Sequence, residues 1–230
     1  MNEIIAIISV LFFAGWILAA CRAGKEFLFV FGTFSVVASN ALFGYEVSIF
    51  GMVTTWAVFA YCLNFLAINC LTEFYSKKDA YNYVINMAVI QLLFCLYIVS
   101  AGWLDLFGGQ NYKQAVEQLY SITPRITLAA IVAHLLLFID ASVYRYFKDH
   151  GVGWMKELWF RATLSALVSH LVINIVFFTI AFYGVIPGQT LIQIILSNIL
   201  IKYVISLAET PLMYAARWVM NQKKVLNYEI

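Results

Sequence analysis

Seven long apolar stretches divide this chain, and Lys and Arg appear mainly in alternate gaps between them. The stretches cover residues 4–20, 27–43, 54–74, 83–103, 125–146, 159–185 and 191–213. Basic residues concentrate in the gaps after the first, third, fifth and seventh stretches, whereas the gaps after the second and sixth contain none and the fourth contains Lys113. Because short Lys- and Arg-rich loops stay in the cytoplasm, the pattern predicts seven spans, with the N-terminus outside and the C-terminus inside.

Composition favours an all-α polytopic membrane protein. Apolar residues make up 63% of the chain and charged residues 11%, against roughly 45–50% and about 25% in soluble domains. Since each span takes about 20 residues, little of this 230-residue chain remains outside the bilayer. We therefore predict one transmembrane domain over residues 1–230, without a nucleotide-binding or catalytic domain. The net charge of +2 reflects cytoplasmic loops, so no nucleic-acid partner is expected.

The first stretch has two interpretations. Residues 18–21 (Leu-Ala-Ala-Cys) fit the end of a lipoprotein signal. However, Glu3 precedes the apolar segment and two basic residues follow it, the reverse of the charge order in a signal peptide. We therefore favour a permanent helix at about 4–20, added to a core at about 27–214.

Ionisable residues inside the apolar stretches are the first candidates for function. At membrane depth such groups cost a few kcal/mol each on insertion scales and usually face the bundle interior or a water-filled cavity. Lys202 is the most deeply placed cation, and Glu209, seven residues later on nearly the same helix face, is a possible partner. His170 and Asn174 stack on one face of the sixth stretch. His170 either forms an ordinary helix–helix hydrogen bond or takes part in ligand or proton binding.

Amide side chains form a second group of candidates. Asn64 and Asn69 lie on the third stretch, which ends near Glu73, and Asn40 lies near the outer end of the second. Each amide offers a donor and an acceptor, as the edge of a heterocyclic base requires. Trp56, near the outer end of the third stretch, belongs either to the interfacial aromatic belt or to a site that stacks flat rings.

Charged residues near the span ends have simpler interpretations. Asp140 lies close to Arg145, which favours an ordinary boundary salt bridge. Arg125 at the outer mouth and Arg161 at the inner mouth either reach the lipid headgroups or pair with acidic residues. The candidate acidic partners are Asp105 and Glu73.

Cysteine and proline placement adds two expectations. The four cysteines lie in or beside apolar stretches without a CxxC or metal-ligand spacing, which is typical of buried packing residues; they are Cys21, Cys62, Cys70 and Cys95. No Gly-rich phosphate loop is present either, so we predict neither a cofactor nor a metal. Pro124 can start the fifth helix, whereas Pro211 can kink the seventh because it frees the carbonyl of Leu207.

Two runs of the sequence match a known family. The first comprises residues 54–56 (TTW) and 69–80 (NCLTEFYSKKDA), and the second comprises 158–187 and 202–214, which include Arg161, Ser165, His170, Asn174, Lys202 and a Thr-Pro-Leu-x-Tyr motif. In these runs the chain resembles the queuosine precursor transporter family, also called the vitamin uptake transporter family, over about residues 40–214. Further family positions are occupied by Asn40, Arg125 and Asp140.

The resemblance implies import of a 7-deazaguanine base across the bacterial cytoplasmic membrane. The implied partners are this small deazapurine and the lipid bilayer, and the oligomeric state is left open. Asn69 and Ile173 stand where the family usually has Asp. Both changes remove a carboxylate from the expected cavity, so a cationic aminomethyl base is the least suitable cargo, and we expect queuine or the 7-cyano precursor.

The leading hypothesis is an importer with one midplane site that opens alternately to each side. We expect the site to be lined by Asn40, Asn64, Asn69, His170, Asn174 and Lys202, with Trp56 and Arg125 toward the outer mouth and Glu73 toward the inner one. One alternative is a substrate-binding subunit that works with an energising ATPase. A second is an intramembrane enzyme using His134, His170 and Asp140, which is less favoured because no HExxH or paired-Asp motif occurs.

Overall fold

Helices make up most of the structure, a computed structural model that describes residues 2–42, 46–101 and 110–228. The helices in the described residues are α1 Asn2–Ala23, α2 Lys25–Leu42, α3 Ala57–Phe74, α4 Lys77–Ala101, α5 Gln110–His150, α6 Leu158–Phe182 and α7 Gly188–Tyr228. A short 3-10 turn at Gly153–Lys156 joins α5 to α6. The all-α prediction is therefore confirmed.

Six of these helices are long and apolar enough to cross a membrane, judged over the described residues. The exception is α2, whose 18 residues begin with Lys25 and Glu26 and include several polar side chains. The chain is thus a multi-pass membrane protein. The seventh span and the orientation of the N-terminus stay predictions.

The side chains are distributed as in a membrane protein. Leu93 and Leu96 on α4 and Phe12 on α1 are more than half exposed, whereas Asn64 and His170 are buried. In water this arrangement is unfavourable, but in lipid the apolar side chains meet acyl chains and the polar ones find partners inside the bundle. The polar residues singled out from the sequence therefore point mainly inward.

Helix α3 is the centre of the bundle. Every residue from Cys62 to Thr72 is buried, and α3 packs against α1, α2, α4, α5 and α7. Helix α6 packs across α5 and α7 on one side of it. Helix α3 is the least apolar of the six candidate spans and buries Asn64, Asn69 and Thr72. Lipid would leave these polar side chains without partners, which explains the central position of α3.

A buried polar chain fixes α2, α3 and α4 together. Tyr83 donates its hydroxyl to the Asn64 amide oxygen at 2.6 Å, and the Asn64 amide nitrogen donates to Ser35 Oγ at 2.7 Å. Ser35 in turn donates to the carbonyl of Ala60 at 2.8 Å. Gly32 permits the close approach of α2 and α4, because a Cβ there would lie 2.5 Å from the Tyr83 hydroxyl oxygen.

A β-hairpin between α2 and α3 was not anticipated by the sequence analysis. Strands β1 (Glu46–Ile49) and β2 (Met52–Thr55) are antiparallel, and their register pairs Glu46 with Thr55 and Ile49 with Met52. The two turn residues, Phe50 and Gly51, both have positive φ, 49° and 76°. Such a two-residue turn matches the right-handed twist of the strands. Each strand is four residues long.

The bundle has two chemically different ends. The hairpin end contains β1, β2 and the α6–α7 link (183–187), and the charged end contains the α1–α2, α3–α4 and α5–α6 links. At the hairpin end, Thr54 donates its hydroxyl to the Asn198 amide oxygen on α7 at 3.2 Å. The predicted orientation makes the hairpin end the outer one.

Two helices are much longer than predicted. Helix α5 begins at Gln110 rather than near Arg125, so Pro124 lies inside a helix of 41 residues, and α7 has the same length with Pro211 inside it. At about 1.5 Å per residue each extends about 60 Å, roughly twice the hydrocarbon thickness. Each helix therefore continues beyond the bilayer. Its residues need not be apolar there, so hydropathy does not reveal where the helix begins or ends. Asp105, a candidate partner of Arg125, lies outside the described residues.

Candidate functional site

A cavity lies among the hairpin-side halves of six helices. Helices α2 to α7 and strand β2 all contribute to its wall. The polar lining residues are Ser39, Asn40, Thr55, Tyr61, Gln91, His134, Asn198 and Lys202. The apolar lining residues are Ala57, Val58, Ile126, Ala130, Ala133, Ile173, Phe177 and Phe178. A largely apolar wall with a few convergent polar groups is typical of a small-molecule site.

Lys202 supplies the only positive charge among the cavity-lining residues. Its side chain is nearly buried, with 7% of the residue exposed, and its ammonium nitrogen lies 4.9 Å from the centre of the Tyr61 ring. No carboxylate among the described side chains lies within ion-pair distance of it. Glu209 does not pair with it, so Lys202 retains donors for an acceptor on a ligand.

Asn40 and Gln91 form a reciprocal amide pair on the wall between α2 and α4. Asn40 Nδ2 donates to Gln91 Oε1 at 2.7 Å, and Gln91 Nε2 donates to Asn40 Oδ1 at 3.0 Å. Asn40 Nδ2 also donates to the Val36 carbonyl at 2.7 Å. Asn40 was predicted to belong to the site, whereas Gln91 was missed.

Aromatic rings form another part of the cavity wall. Tyr61 and His134 meet edge to face with centroids 5.5 Å apart, and Phe177 and Phe178 contact each other at 5.1 Å. His134 Nδ1 hydrogen-bonds the Ala130 carbonyl at 2.7 Å, and His134 Nε2 has no partner in the described structure. Flat faces beside an unused ring nitrogen suit a planar heterocycle.

Ile173 stands in the cavity wall and is 1% exposed. One of the two positions where the resemblance led us to expect Asp therefore borders the cavity. Asn174 is not a lining residue; its amide nitrogen donates to the His170 carbonyl at 2.6 Å, and its oxygen has no partner in the described structure. Asn69, the other departure, is buried nearer the charged end, and its amide oxygen also lacks a partner there.

Polar groups continue from the cavity toward the charged end. His170 Nε2 and Ser206 Oγ are 2.7 Å apart, and the His170 ring lies 4.1 Å from that of Phe65. Beyond them, several buried polar atoms have no partner in the described structure, namely those of Asn69, Asp140, Ser169 and Glu209. An unpaired buried polar group costs about 1–3 kcal/mol. This run of groups, the polar track, therefore contains buried polar atoms with unused hydrogen-bonding capacity.

The charged end is closed by a cluster around Glu73. Its carboxylate lies 3.1 Å from Arg161 and from Lys148 and 2.9 Å from Arg217, and it accepts a hydrogen bond from Tyr144 at 3.2 Å. Only one-tenth of the Glu73 side chain is exposed. The pairing of Arg161 with Glu73 confirms one of the two sequence interpretations.

The remaining predicted residues lie outside the cavity lining. Trp56 packs on Phe59 with centroids 4.9 Å apart. Arg125 is exposed at the hairpin end and donates to the Tyr183 carbonyl at 2.9 Å. Asn64 uses its amide in the buried chain with Ser35 and Tyr83.

The predicted Asp140–Arg145 salt bridge is wrong. Arg145 instead pairs with Asp149, four residues later on the same helix, at 2.7 Å. Asp140 is fully buried and turned away from that surface. Residues five apart point to different sides of a helix, whereas residues four apart share one.

Of the polar lining residues, only Asn40 and Lys202 were predicted to belong to the site, although two of the others carried a usable signal. Gln91 and Asn198 are polar residues within apolar helices, and Asn198 precedes Lys202 by four residues, hence on the same face. Tyr61 gave no comparable signal, because tyrosines are frequent in the spans.

Comparison with known proteins adds an independent finding. Residues 55–216 match the family described as "Putative vitamin uptake transporter". A Bacillus subtilis (strain 168) protein named "Probable queuosine precursor transporter" is 28% identical over 217 residues, which cover 92% of this chain and 89% of that protein. No solved structure matches the chain. The family match includes α3 to α7, which build most of the cavity wall.

Proposed function

The chain belongs to the family described as "Putative vitamin uptake transporter", and from this membership we propose that it imports a queuosine precursor across the bacterial cytoplasmic membrane. The name of the Bacillus subtilis relative supports this class of cargo. The observation that carries the proposal is the cavity at the hairpin end, which contains one unpaired cation, an amide pair and aromatic rings. A planar, hydrogen-bonding base has complementary chemistry.

The proposed transport cycle uses the two ends of the bundle in turn. The base enters from the hairpin end and contacts Asn40 and Lys202. When the Glu73 cluster separates, the base passes Asn174 and then moves along the polar track that begins at His170. Buried atoms without partners along this track support the route, because a passing polar base can satisfy them in succession.

The other predicted site residues receive supporting roles in this proposal. Arg125 attracts or orients cargo at the outer mouth, and Asn69 belongs to the polar track. Trp56 holds the start of α3 in place and Asn64 holds its middle, which is supported by the Trp56–Phe59 contact and by the bonds of Asn64 to Ser35 and Tyr83.

The charge of the cavity favours the 7-cyano base. Lys202 has no described counter-ion, and Ile173 replaces the family carboxylate. The aminomethyl base is a cation near neutral pH, and queuine also carries a protonated amine in its side chain, so both would meet an uncompensated positive charge. A nitrile is neutral and accepts a hydrogen bond. The sequence alone favoured queuine and the cyano base without separating them, whereas the charge of the cavity favours the cyano base.

We further propose a single transmembrane domain, seven spans, an outer N-terminus and no enzymatic role. Most basic residues near the helix ends, including Lys78, Lys148 and Arg217, lie at the charged end. The positive-inside rule then makes this end cytoplasmic.

Uptake of labelled deazaguanines tests the proposal. A bacterial strain that cannot make queuosine precursors is supplied with the cyano, aminomethyl or queuine base, and queuosine in its tRNA is measured with and without this gene. We expect the gene to restore queuosine most efficiently from the cyano base. Uptake by the purified protein in proteoliposomes excludes an obligatory ATPase partner. Absence of uptake of any of the three bases in both assays would refute the function.

A further inference from the structure

We infer that Asp140 and Glu209 form a buried carboxyl pair that binds a proton and couples import of the base to inward movement of that proton. This inference rests on the proposed function, because it supplies the energy for the transport cycle described above. Asp140 lies on α5 and Glu209 on α7, and the two residues are 0% and 4% exposed. Their carboxylates repel each other when both are charged.

Neither carboxyl group has a counter-ion among the described residues. The described ion pairs use Glu73, Asp79 and Asp149 instead. Both oxygens of Asp140 and Oε1 of Glu209 also lack a hydrogen-bond partner in this part of the chain. Two unpaired carboxylates that repel each other in a low-dielectric interior are very unlikely to be ionised together in energetic terms, because each loses its hydration. The pair therefore keeps at least one proton in this conformation.

The pair lies between the cavity and the Glu73 cluster. Asp140 follows His134 by six residues and Glu209 follows Lys202 by seven, so each acid lies about 9–10 Å beyond a cavity residue along its helix. Eight residues after each acid, about 12 Å further, the same helix carries a cation of the Glu73 cluster. A proton on the pair is thus reached from the hairpin end through the cavity, and from the charged end only past the cluster.

Hydroxyl groups lie between the cavity and the pair. Ser165 on α6 faces Asp140, and Ser169 lies one turn away on the same face of that helix. Ser169 is 0% exposed, and its Oγ has no partner among the described residues. Next to Ser169 in the chain, His170 lies 2.7 Å from Ser206 Oγ. A hydroxyl both donates and accepts, so these groups can pass a proton from the cavity to the pair.

The charged and titratable groups around the pair come from the helices packed against α5 and α7. The cation on α6, Arg161, is compensated by Glu73 at 3.1 Å, and Lys202 lies in the cavity. The other groups are thiols, phenols and imidazoles, namely Cys21 on α1, Cys62 and Cys70 on α3, Tyr81 on α4, His134 and Tyr144 on α5 and His170 on α6. None of these described groups brings a free positive charge to the pair in this conformation.

Arg161 connects the pair to the charged end. It lies one turn before Ser165 on the same face of α6, and its buried Nε has no partner among the described residues. When the Glu73 cluster separates, this guanidinium loses its carboxylate. An uncompensated cation close to the pair favours the ionised acids, so the carboxyl O–H bond breaks and the proton leaves to the cytoplasm. The same O–H bond forms again when the outer side supplies the next proton.

Uptake driven by a proton gradient tests the inference. The purified full-length protein in proteoliposomes receives the labelled cyano base, which is uncharged, while the outside is one pH unit more acidic than the lumen and valinomycin with equal potassium clamps the membrane potential. One proton per base predicts about tenfold accumulation, because one pH unit is a tenfold ratio of protons, and a protonophore should abolish it. Uptake that only equilibrates the base would overturn the inference, as would accumulation driven by a sodium gradient at constant pH.

Two substitutions assign the coupling to the pair. Asp140→Asn and Glu209→Gln keep the side-chain shape and remove a titrating carboxyl group. We expect the ratio of base accumulated with and without the gradient to fall from about tenfold to about one, whatever rate of exchange remains. Asp149→Asn alters an exposed carboxylate in a surface ion pair and should keep the full ratio. A full ratio in a folded variant of Asp140 or Glu209 would overturn the inference.

Infrared spectroscopy detects the bound proton without transport. A protonated carboxyl group has a C=O stretching band that a carboxylate lacks, and this band shifts in D2O. We expect the band at neutral pH in the unsubstituted protein and in Asp149→Asn, and its loss when Asp140→Asn and Glu209→Gln are combined. Absence of the band from the unsubstituted protein would overturn the inference.

The two proposals fail in different ways. Uptake without accumulation under the proton gradient removes the coupling and leaves the transport function. Absence of uptake of every base removes the transport function, and the infrared band still decides whether the carboxyl pair holds a proton.

Discussion

The hairpin-end cavity and the charged end are both polar, but they use their polar groups differently. In the cavity, Lys202 has an aromatic ring and no described carboxylate beside it, and His134 has an unused ring nitrogen. At the charged end, the Glu73 carboxylate contacts three cations and a tyrosine hydroxyl. Groups that retain bonding capacity can bind a ligand, whereas groups that saturate one another hold helices together. The first region suits recognition and the second suits closure.

Removing the charge of Glu73 should have the largest effect of the substitutions considered, because it breaks the cluster at the charged end. Glu73→Gln leaves the buried Arg161 without a carboxylate. Loss of one partner of a buried pair costs about 3–5 kcal/mol, and the partial exposure of Lys148 and Arg217 favours the lower value. We expect the free energy of unfolding in detergent to fall by about 3 kcal/mol.

The exposed Arg145–Asp149 pair provides the matched control for Glu73. Asp149→Asn breaks an ion pair whose side chains are 34% and 40% exposed. Such surface pairs contribute about 0–1 kcal/mol. If both variants lose the same stability, the Glu73 cluster does not hold the charged end together.

Loss of the cavity cation should have the next largest effect. Lys202→Met keeps most of the apolar stem over Tyr61 and removes the ammonium donor. Because a hydrogen bond to a charged group contributes about 1.5–3 kcal/mol, we expect the apparent affinity for the cyano base to fall at least about tenfold. Lys78→Met, at an exposed position of α4, should leave uptake unchanged. Equal uptake by both variants would exclude Lys202 from cargo binding.

A carboxylate restored to the cavity should alter selectivity to a smaller degree. Ile173→Asp places a negative charge in the wall that also contains Lys202. We expect the cationic aminomethyl base to improve roughly fivefold relative to the cyano base in uptake competition, because opposite charge compensates its desolvation. Ile173→Asn has a similar shape without charge and should not produce this change. A similar shift with Asn would assign the effect to side-chain size instead of charge.

Trp56 should give the smallest effect. Its ring packs on Phe59 and is not a lining residue of the cavity. We expect Trp56→Leu to change cargo affinity less than about twofold, since the half-buried ring packs against the apolar cluster around Phe59 and does not line the cavity. Tyr61→Leu, which removes the ring beneath Lys202, should weaken uptake more. If Trp56→Leu weakened uptake more than Tyr61→Leu, the base would bind closer to the hairpin than to the cavity.

Part of the site could be predicted from the sequence, and part could not. Asn40 and Lys202 were found because polar residues in apolar helices stand out. The same rule selected Asn64, but it cannot tell a residue that binds its own neighbours from one that faces open space. That distinction depends on three helices meeting at Ser35 and Tyr83, contacts between residues distant in the chain.

The sequence by itself determined the multi-pass helical architecture through its long apolar stretches. The alternation of basic loops predicted the orientation, and the polar residues within the apolar stretches supplied the list of candidate residues. These features act locally, since the energy of placing a side chain in lipid depends mainly on that side chain and its depth. Only the tertiary structure decided which candidates share a space. It joined Gln91 to Asn40, separated Lys202 from Glu209 and gathered Lys148, Arg161 and Arg217 around Glu73. Such pairings depend on helix rotation and packing, which periodicity alone does not specify.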